Sequence, residues 1–159
     1  MKTNFPKKET HVPKWFIIDA KNQTLGRLST EVSKLLRGKE ISYFTPGIDQ
    51  GNFVVLINAS HVVVTGQKET QKFYYRNSQR PGSLKIESFK QLKMRIPIRI
   101  LEKAIKGMLP KGVLGRQYFR RLFVYEGNDI VSSQKGKKII SAEDLINNSA
   151  QWTHYSFSK

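Results

Sequence analysis

The sequence predicts an α/β domain built around a small, mostly parallel sheet, with basic extensions. Three observations lead there. Short apolar runs recur along the chain, each bounded by turn residues, as fully buried strands show. Two longer stretches between them repeat apolar residues at helical spacing. The order of the elements (strand, helix, strand, strand, helices, strand) is that of a layered α/β architecture. A chain of 159 residues fits one domain. It is long enough to bury about 68–70% of its unfolded surface.

The elements follow in order. Residues 1–13 read as an arm, solvated or in contact with a partner. Trp15-Phe-Ile-Ile-Asp-Ala20 is a buried-type strand, and Asn22 and Gln23 turn the chain. Leu25, Leu28, Val32, Leu35 and Leu36 then recur at helical spacing, and Gly38 is the stop signal. Thr45-Pro-Gly47 marks a turn. Phe53–Ile57 and His61–Thr65 read as two more strands, separated only by Asn58-Ala-Ser60. Lys72-Phe-Tyr-Tyr75 is a strand or an extended arm, and 77–85, with Pro81-Gly82, is a loop. Ile86, Phe89 and Leu92 suggest a short helix. Pro97 suits the first position of another, whose apolar face is Ile98, Leu101, Ile105 and Met108. Residues 114–120 add a turn or two, and Leu122–Tyr125 is a fourth strand. Further on, Ser141-Ala-Glu-Asp144 resembles a helix capping box ahead of Leu145 and Ile146.

Charge is the second theme. The formal net charge is +16, and twelve of those units fall between Gln67 and Arg121, where fifteen Lys and Arg face only Glu69, Glu87 and Glu102. A one-signed excess of this size is not absorbed by i,i+4 pairing with carboxylates. Self-repulsion makes it costly, and a polyanion relieves it. Aromatics are interleaved with the cations: Phe73, Tyr74, Tyr75, Phe89, Tyr118 and Phe119. Cations neutralise phosphates, and Phe73, Tyr74 or Tyr75 would stack on unpaired bases, although alternation along an extended segment turns one of the three inward. The combination predicts RNA as the partner.

Other chemistries find little support. The chain has no cysteine, which excludes disulfides and zinc-thiolate sites. No apolar run approaches the 18 or so residues of a membrane span. Residues 1–14 are Lys-rich without an apolar stretch, which predicts neither a secretory signal nor a transit peptide. Leu25-Gly-Arg-Leu28 follows a strand but offers one glycine where a dinucleotide fingerprint has three, so Gly26 reads as a packing or turn residue. His11, His61 and His154 have no ligand-like partner at i+3 or i+4. No cofactor, metal site or catalytic set is expected. An enzyme acting on RNA or nucleotides would need one of these.

Several stretches together resemble one family, large-subunit ribosomal protein thirteen in its bacterial and organellar form. The strongest match is Ile105-Lys-Gly-Met-Leu-Pro110, then Leu114-Gly-Arg116, then Leu122-Phe-Val-Tyr-Glu-Gly127. Trp15–Ala20 with Leu25–Leu28 and Leu36-Arg-Gly-Lys39 resembles its opening. Phe44-Thr-Pro46, Gly51–Val55, Ile57-Asn-Ala59, Thr65–Lys68, Lys72–Arg76 and Pro81–Lys85 continue it. The resemblance runs in register over 14–127. Asn52 stands where the family has Asp, and 128–134 departs from a family segment containing His-Pro-His. The added tail and the wording of Gln79–Gly82 lean towards a plastid version; a bacterial chain is the alternative.

The resemblance implies a three-layer α/β/α domain with a four-stranded, mostly parallel sheet over 14–127, an N-terminal arm over 1–13 and a C-terminal extension over 128–159. It also implies a structural, non-enzymatic role in the large ribosomal subunit, with rRNA and neighbouring ribosomal proteins as partners and no membrane or small-molecule substrate. A regulatory RNA-binding protein acting off the ribosome needs the same basic surface and remains the alternative. Three groups of residues are the expected RNA contacts: Lys68, Lys72, Tyr74, Tyr75, Arg76, Arg80 and Lys85; Lys106, Lys111, Arg116, Arg120 and Arg121; and Arg27, Arg37 and Lys39. On this reading, reversing the charge of Arg120 and Arg121 weakens RNA binding and leaves the fold intact.

Overall fold

The computed structural model describes residues 5–7, 11–127 and 152–154. Strand β1 (Trp15–Asp19) leads to helix α1 (Leu25–Arg37) and strand β2 (Phe53–Ile57). Helix α2 (Lys68–Gln71), strands β3 (Phe73–Arg76) and β4 (Lys85–Ser88), and helices α3 (Phe89–Arg95), α4 (Ile98–Met108) and α5 (Val113–Arg120) follow. Strand β5 (Leu122–Val124) closes the run, and β6 (Trp152–His154) lies further on. The main sheet is parallel, with β2 between β1 and β5, Trp15 opposite Phe53 and Val54 opposite Leu122. The backbone of β6 pairs parallel with the other edge of β1. β3 and β4 form a separate antiparallel pair.

The larger part of the core lies on one face of the sheet. Ile18, Val54, Leu56, Leu122 and Val124 point to one face of the sheet and are buried against Leu28, Val32, Leu35 and Leu36 of α1 and Leu101 and Ile105 of α4. The helical spacing of those residues in the sequence is what makes both helices one-faced. On the other face, Val55 and Tyr125 are buried, with Trp15, Ile17, Ile57 and Phe123 partly so. The Trp15 ring stacks on Phe53 at 4.4 Å and on Phe123 at 5.8 Å.

Local signals account for most boundaries. Gly38 ends α1 in the left-handed region at φ 73°, its N–H donating to the Leu35 carbonyl. A Cβ there would lie 2.1 Å from the Gln50 carbonyl oxygen, so the site suits glycine twice over. Ser88 caps α3 in a reciprocal box with Gln91. Pro97 occupies the N-cap of α4, one position before the expected one.

Three readings of the sequence need correction. His61–Thr65 is not a sheet strand. Asn58 enters the left-handed region at φ 59°, a 3-10 turn covers Ala59–His61, and Val63 makes only an isolated bridge to Thr24. The slot beside β2 is taken by β5, and just past its end the Tyr125 N–H donates to the Leu56 carbonyl. The segment instead crosses in front of α1, where the Leu25 N–H donates to the Val63 carbonyl. Residues 77–85 are not wholly loop either, because Lys85 begins β4 and the helix starts only at Phe89. Gly26 is neither a packing nor a turn glycine: space is open where its Cβ would sit, and its φ is not positive. The capping-box reading at 141–144 lies outside the described residues.

Ile105 is fully buried between the sheet and α1. Ile105→Ala is therefore expected to lower stability by about 2–5 kcal/mol, read as a shift in urea midpoint at unchanged m-value.

Candidate nucleic-acid interface

The β3–β4 hairpin sorts its aromatics by strand alternation. Tyr74 points inward, stacks on the buried Phe89 at 6.4 Å, and lies under the Lys103 ammonium at 4.8 Å and that of Lys72 at 5.5 Å. Burial raises its phenol above the ordinary tyrosine value, keeping it neutral. Phe73 and Tyr75 point outward, 48% and 63% exposed, with Ile86 directly across from Tyr75. Tyr74 is thus a packing residue, and Tyr75 and Phe73 are the rings free to stack on bases. Arg76 and Lys85 face each other across the two strands. Like charges directly opposite are destabilising, and a phosphate between them removes the penalty. Arg80 lies in the exposed turn between these strands, and exposed Lys68 opens α2.

The second group splits. Lys106, Lys111, Arg116 and Arg120 come together around a cleft between the end of α4 and α5. All four are exposed. Arg121 points the other way. Its guanidinium bonds Asp49 Oδ2 at 2.6 Å and donates to the Gly51 carbonyl at 2.5 Å, over the Phe53 ring. Asp49 is 7% exposed. Arg121 ties the 45–52 loop to the start of β5 and is not placed as an RNA contact. Half-buried Arg37 faces the same knot. The Tyr118 phenol there is raised first by burial and then by Asp49, while Arg37 and Arg121 pull it down.

The third group does not form a patch. Arg27 and Arg37 are ten residues apart on α1, about 15 Å along the helix. Arg27 and Lys39 are exposed at its opposite ends. Two residues outside the three expected groups join these clusters: Lys103, above Tyr74, and Phe119, half-buried in the cleft with Lys106 Nζ 5.6 Å from its ring centre. The helical period places Lys103 and Lys106 on the polar side of α4, so the signal for Lys103 was present.

Asn52 is explained by the structure. Its Oδ1 accepts from the Lys14 N–H at 3.1 Å while its Nδ2 donates to the Leu35 carbonyl at 3.3 Å. Only an amide makes both bonds; an ionised carboxylate has no donor for Leu35.

No group of three His, Asp or Glu among the described residues is arranged to hold a metal, and no described helix is long and apolar enough to cross a membrane. Fold and surface together define a basic α/β domain with an exposed aromatic hairpin and a cationic cleft. Residues 13–130 match the family model described as Ribosomal protein L13. Large ribosomal subunit protein uL13 of Prochlorococcus marinus (strain NATL1A) is 54% identical over 140 residues, 88% of this chain and 93% of the relative. The protein of that name from Picosynechococcus sp. (strain ATCC 27264 / PCC 7002 / PR-6) is 55% identical over 129 residues, covering 81% and 85%. That of Crocosphaera subtropica (strain ATCC 51142 / BH68) is 56% identical over 126 residues, covering 79% and 83%. The chain belongs to the ribosomal protein L13 family.

The geometry separates neighbouring residues by role. Tyr75→Ala is expected to weaken binding to RNA with unpaired bases by about 1–3 kcal/mol without moving the melting temperature. Tyr74→Ala, by contrast, should lower stability by about 2 kcal/mol. Arg120→Glu should weaken RNA binding and keep the native melting curve, whereas Arg121→Glu should cost about 3 kcal/mol of stability, because it sets a carboxylate beside buried Asp49. Calorimetry and filter binding on the four variants check both pairs.

Proposed function

We propose that this chain is a structural constituent of the large ribosomal subunit that binds and organises large-subunit rRNA, in assembly and in the mature ribosome. It is not an enzyme. One observation carries this reading: in a chain of this family, fifteen cations face three carboxylates over Gln67–Arg121, and all but Lys93 and Arg121 are on the exposed surface of helices, loops and a hairpin around the sheet. The contacts are Lys68, Lys72, Phe73, Tyr75, Arg76, Arg80 and Lys85 on the hairpin side, and Lys106, Lys111, Arg116 and Arg120 on the cleft side. Arg27 and Lys39 are outlying contacts. Most bonds go to phosphates and 2′-hydroxyls, so shape is read before sequence. Neighbouring large-subunit proteins are further partners. The relatives named above are cyanobacterial, which favours a plastid stroma or a bacterial cytoplasm as the location.

In this reading the complete domain has three layers and a four-stranded sheet. The connections β1 to β2 and β2 to β5 step the same way along the sheet, with their helices on one face. The backbone pairing of β6 with the free edge of β1 supports a four-stranded sheet whose fourth strand comes from the expected extension, 128–159.

Sedimentation of native lysate through sucrose at moderate and high salt tests the assignment. Co-migration with the large subunit in both is the expected result. A chain found at the top of the gradient at moderate salt would instead fit the regulatory RNA-binding alternative. Affinity for an rRNA fragment should also fall steeply with salt, with a log–log slope of about −4 to −6 if about six phosphates are neutralised. A flat response would reject a phosphate-dominated interface.

A further inference from the structure

The cleft between α4 and α5 has a composition that phosphate binding alone does not require. Its volume is about 370 Å³, some twelve times the share of one water in the liquid, about 30 Å³, and within the range of small-molecule pockets, about 300–1,000 Å³. It is lined by the apolar Leu109, Pro110 and Phe119 together with the cations Lys106, Lys111, Arg116 and Arg120. No carboxylate lines it.

The cleft is also held open by design of the backbone. Gly115 in the first turn of α5 sits so close to the 110 turn that an added Cβ would lie 1.7 Å from the Pro110 carbonyl oxygen. This contact fixes the helix against the turn and sets Phe119, one turn further on, facing the end of α4. Lys106 Nζ stands over the Phe119 ring, 5.6 Å from its centre, on a flexible side chain that can swing aside. Arg116 and Arg120 stand at i and i+4 on the same helix face, an arrangement that is unfavourable until an anion sits between them. A flat apolar wall beside a cluster of cations fits a ligand that has a flat ring at one end and an anion at the other.

We propose that this cleft receives a single unpaired nucleotide of the bound RNA. Its base lies against Phe119, Leu109 and Pro110, and its flanking phosphates meet Lys111, Arg116 and Arg120. The inference rests on the RNA-binding reading and adds to it a discrete, structure-selective site. A double helix presents phosphates but no free base face, so paired RNA engages the rim alone.

The test uses the full chain at one salt concentration with matched RNA hairpins: one fully paired, the others carrying a single bulged A, C, G or U, and one carrying a bulged 2-aminopurine. The expected result is roughly tenfold tighter binding of at least one bulged hairpin, with quenching of the 2-aminopurine fluorescence. Millimolar AMP should reverse that quenching, and inorganic phosphate at the same ionic strength should not. Phe119→Leu should abolish the advantage of the bulge and keep the affinity for the paired hairpin. Arg116→Gln, at an exposed position, should weaken the bulged hairpin more than the paired one, and it serves as the second variant should Phe119→Leu lower stability. Equal wild-type affinity for bulged and paired hairpins would overturn the nucleotide site while leaving general RNA binding in place. Retained bulge preference in both variants would overturn it as well. Failure to bind any hairpin would count against the RNA-binding reading itself.

Discussion

The one-sided apolar contact between the parallel sheet and helices α1 and α4 is the constraint on which the rest depends. Ile18, Val54 and Leu56 are fully buried there against Val32, Leu35, Leu36 and Ile105. Only apolar burial of this kind holds so many like charges in a compact chain, because the charges themselves oppose compaction. Everything that faces outward, hairpin and cleft alike, is mounted on helices and loops whose inner sides are committed to this core. The hairpin and the cleft therefore take their shape from the fold itself.

Not every cation belongs to the interface. Arg121 is bound to Asp49 and Gly51, and Lys93 donates to the Val62 carbonyl at 2.9 Å. Each pins an irregular segment that has few ladder bonds of its own: the 45–52 loop in the first case, the stretch after the 3-10 turn in the second. Asn52 does the same with a neutral amide, joining Lys14 to the end of α1. A basic protein uses some of its cations as ordinary hydrogen-bond donors that hold irregular backbone in place.

The exposed cations are arranged against one another rather than spread out. Arg76 opposes Lys85 across the hairpin, and Arg116 precedes Arg120 by one helical turn. In an isolated domain such pairs are a local conflict of the kind that functional sites retain. An anion removes the conflict, so part of the binding energy is repulsion released. The aromatic groups beside each pair, Tyr75 on the hairpin and Phe119 in the cleft, add a contact that phosphate does not use.

The sequence by itself determined the class of fold, the extents of α1 and β2 and, to within a few residues, of α4, and the stretch in which the positive charge is concentrated. These follow from local properties: the period of apolar residues, caps, and the sum of charge. Alternation also required one of Phe73, Tyr74 and Tyr75 to turn inward. Tertiary structure decided which one, because Phe89 lies beneath Tyr74. It also decided that Arg121 meets Asp49, 72 residues away, instead of solvent, and that β5, not His61–Thr65, fills the place beside β2. Each of these is a competition between partners distant in the chain. A local pattern records what a residue can do, and long-range packing selects which partner it meets.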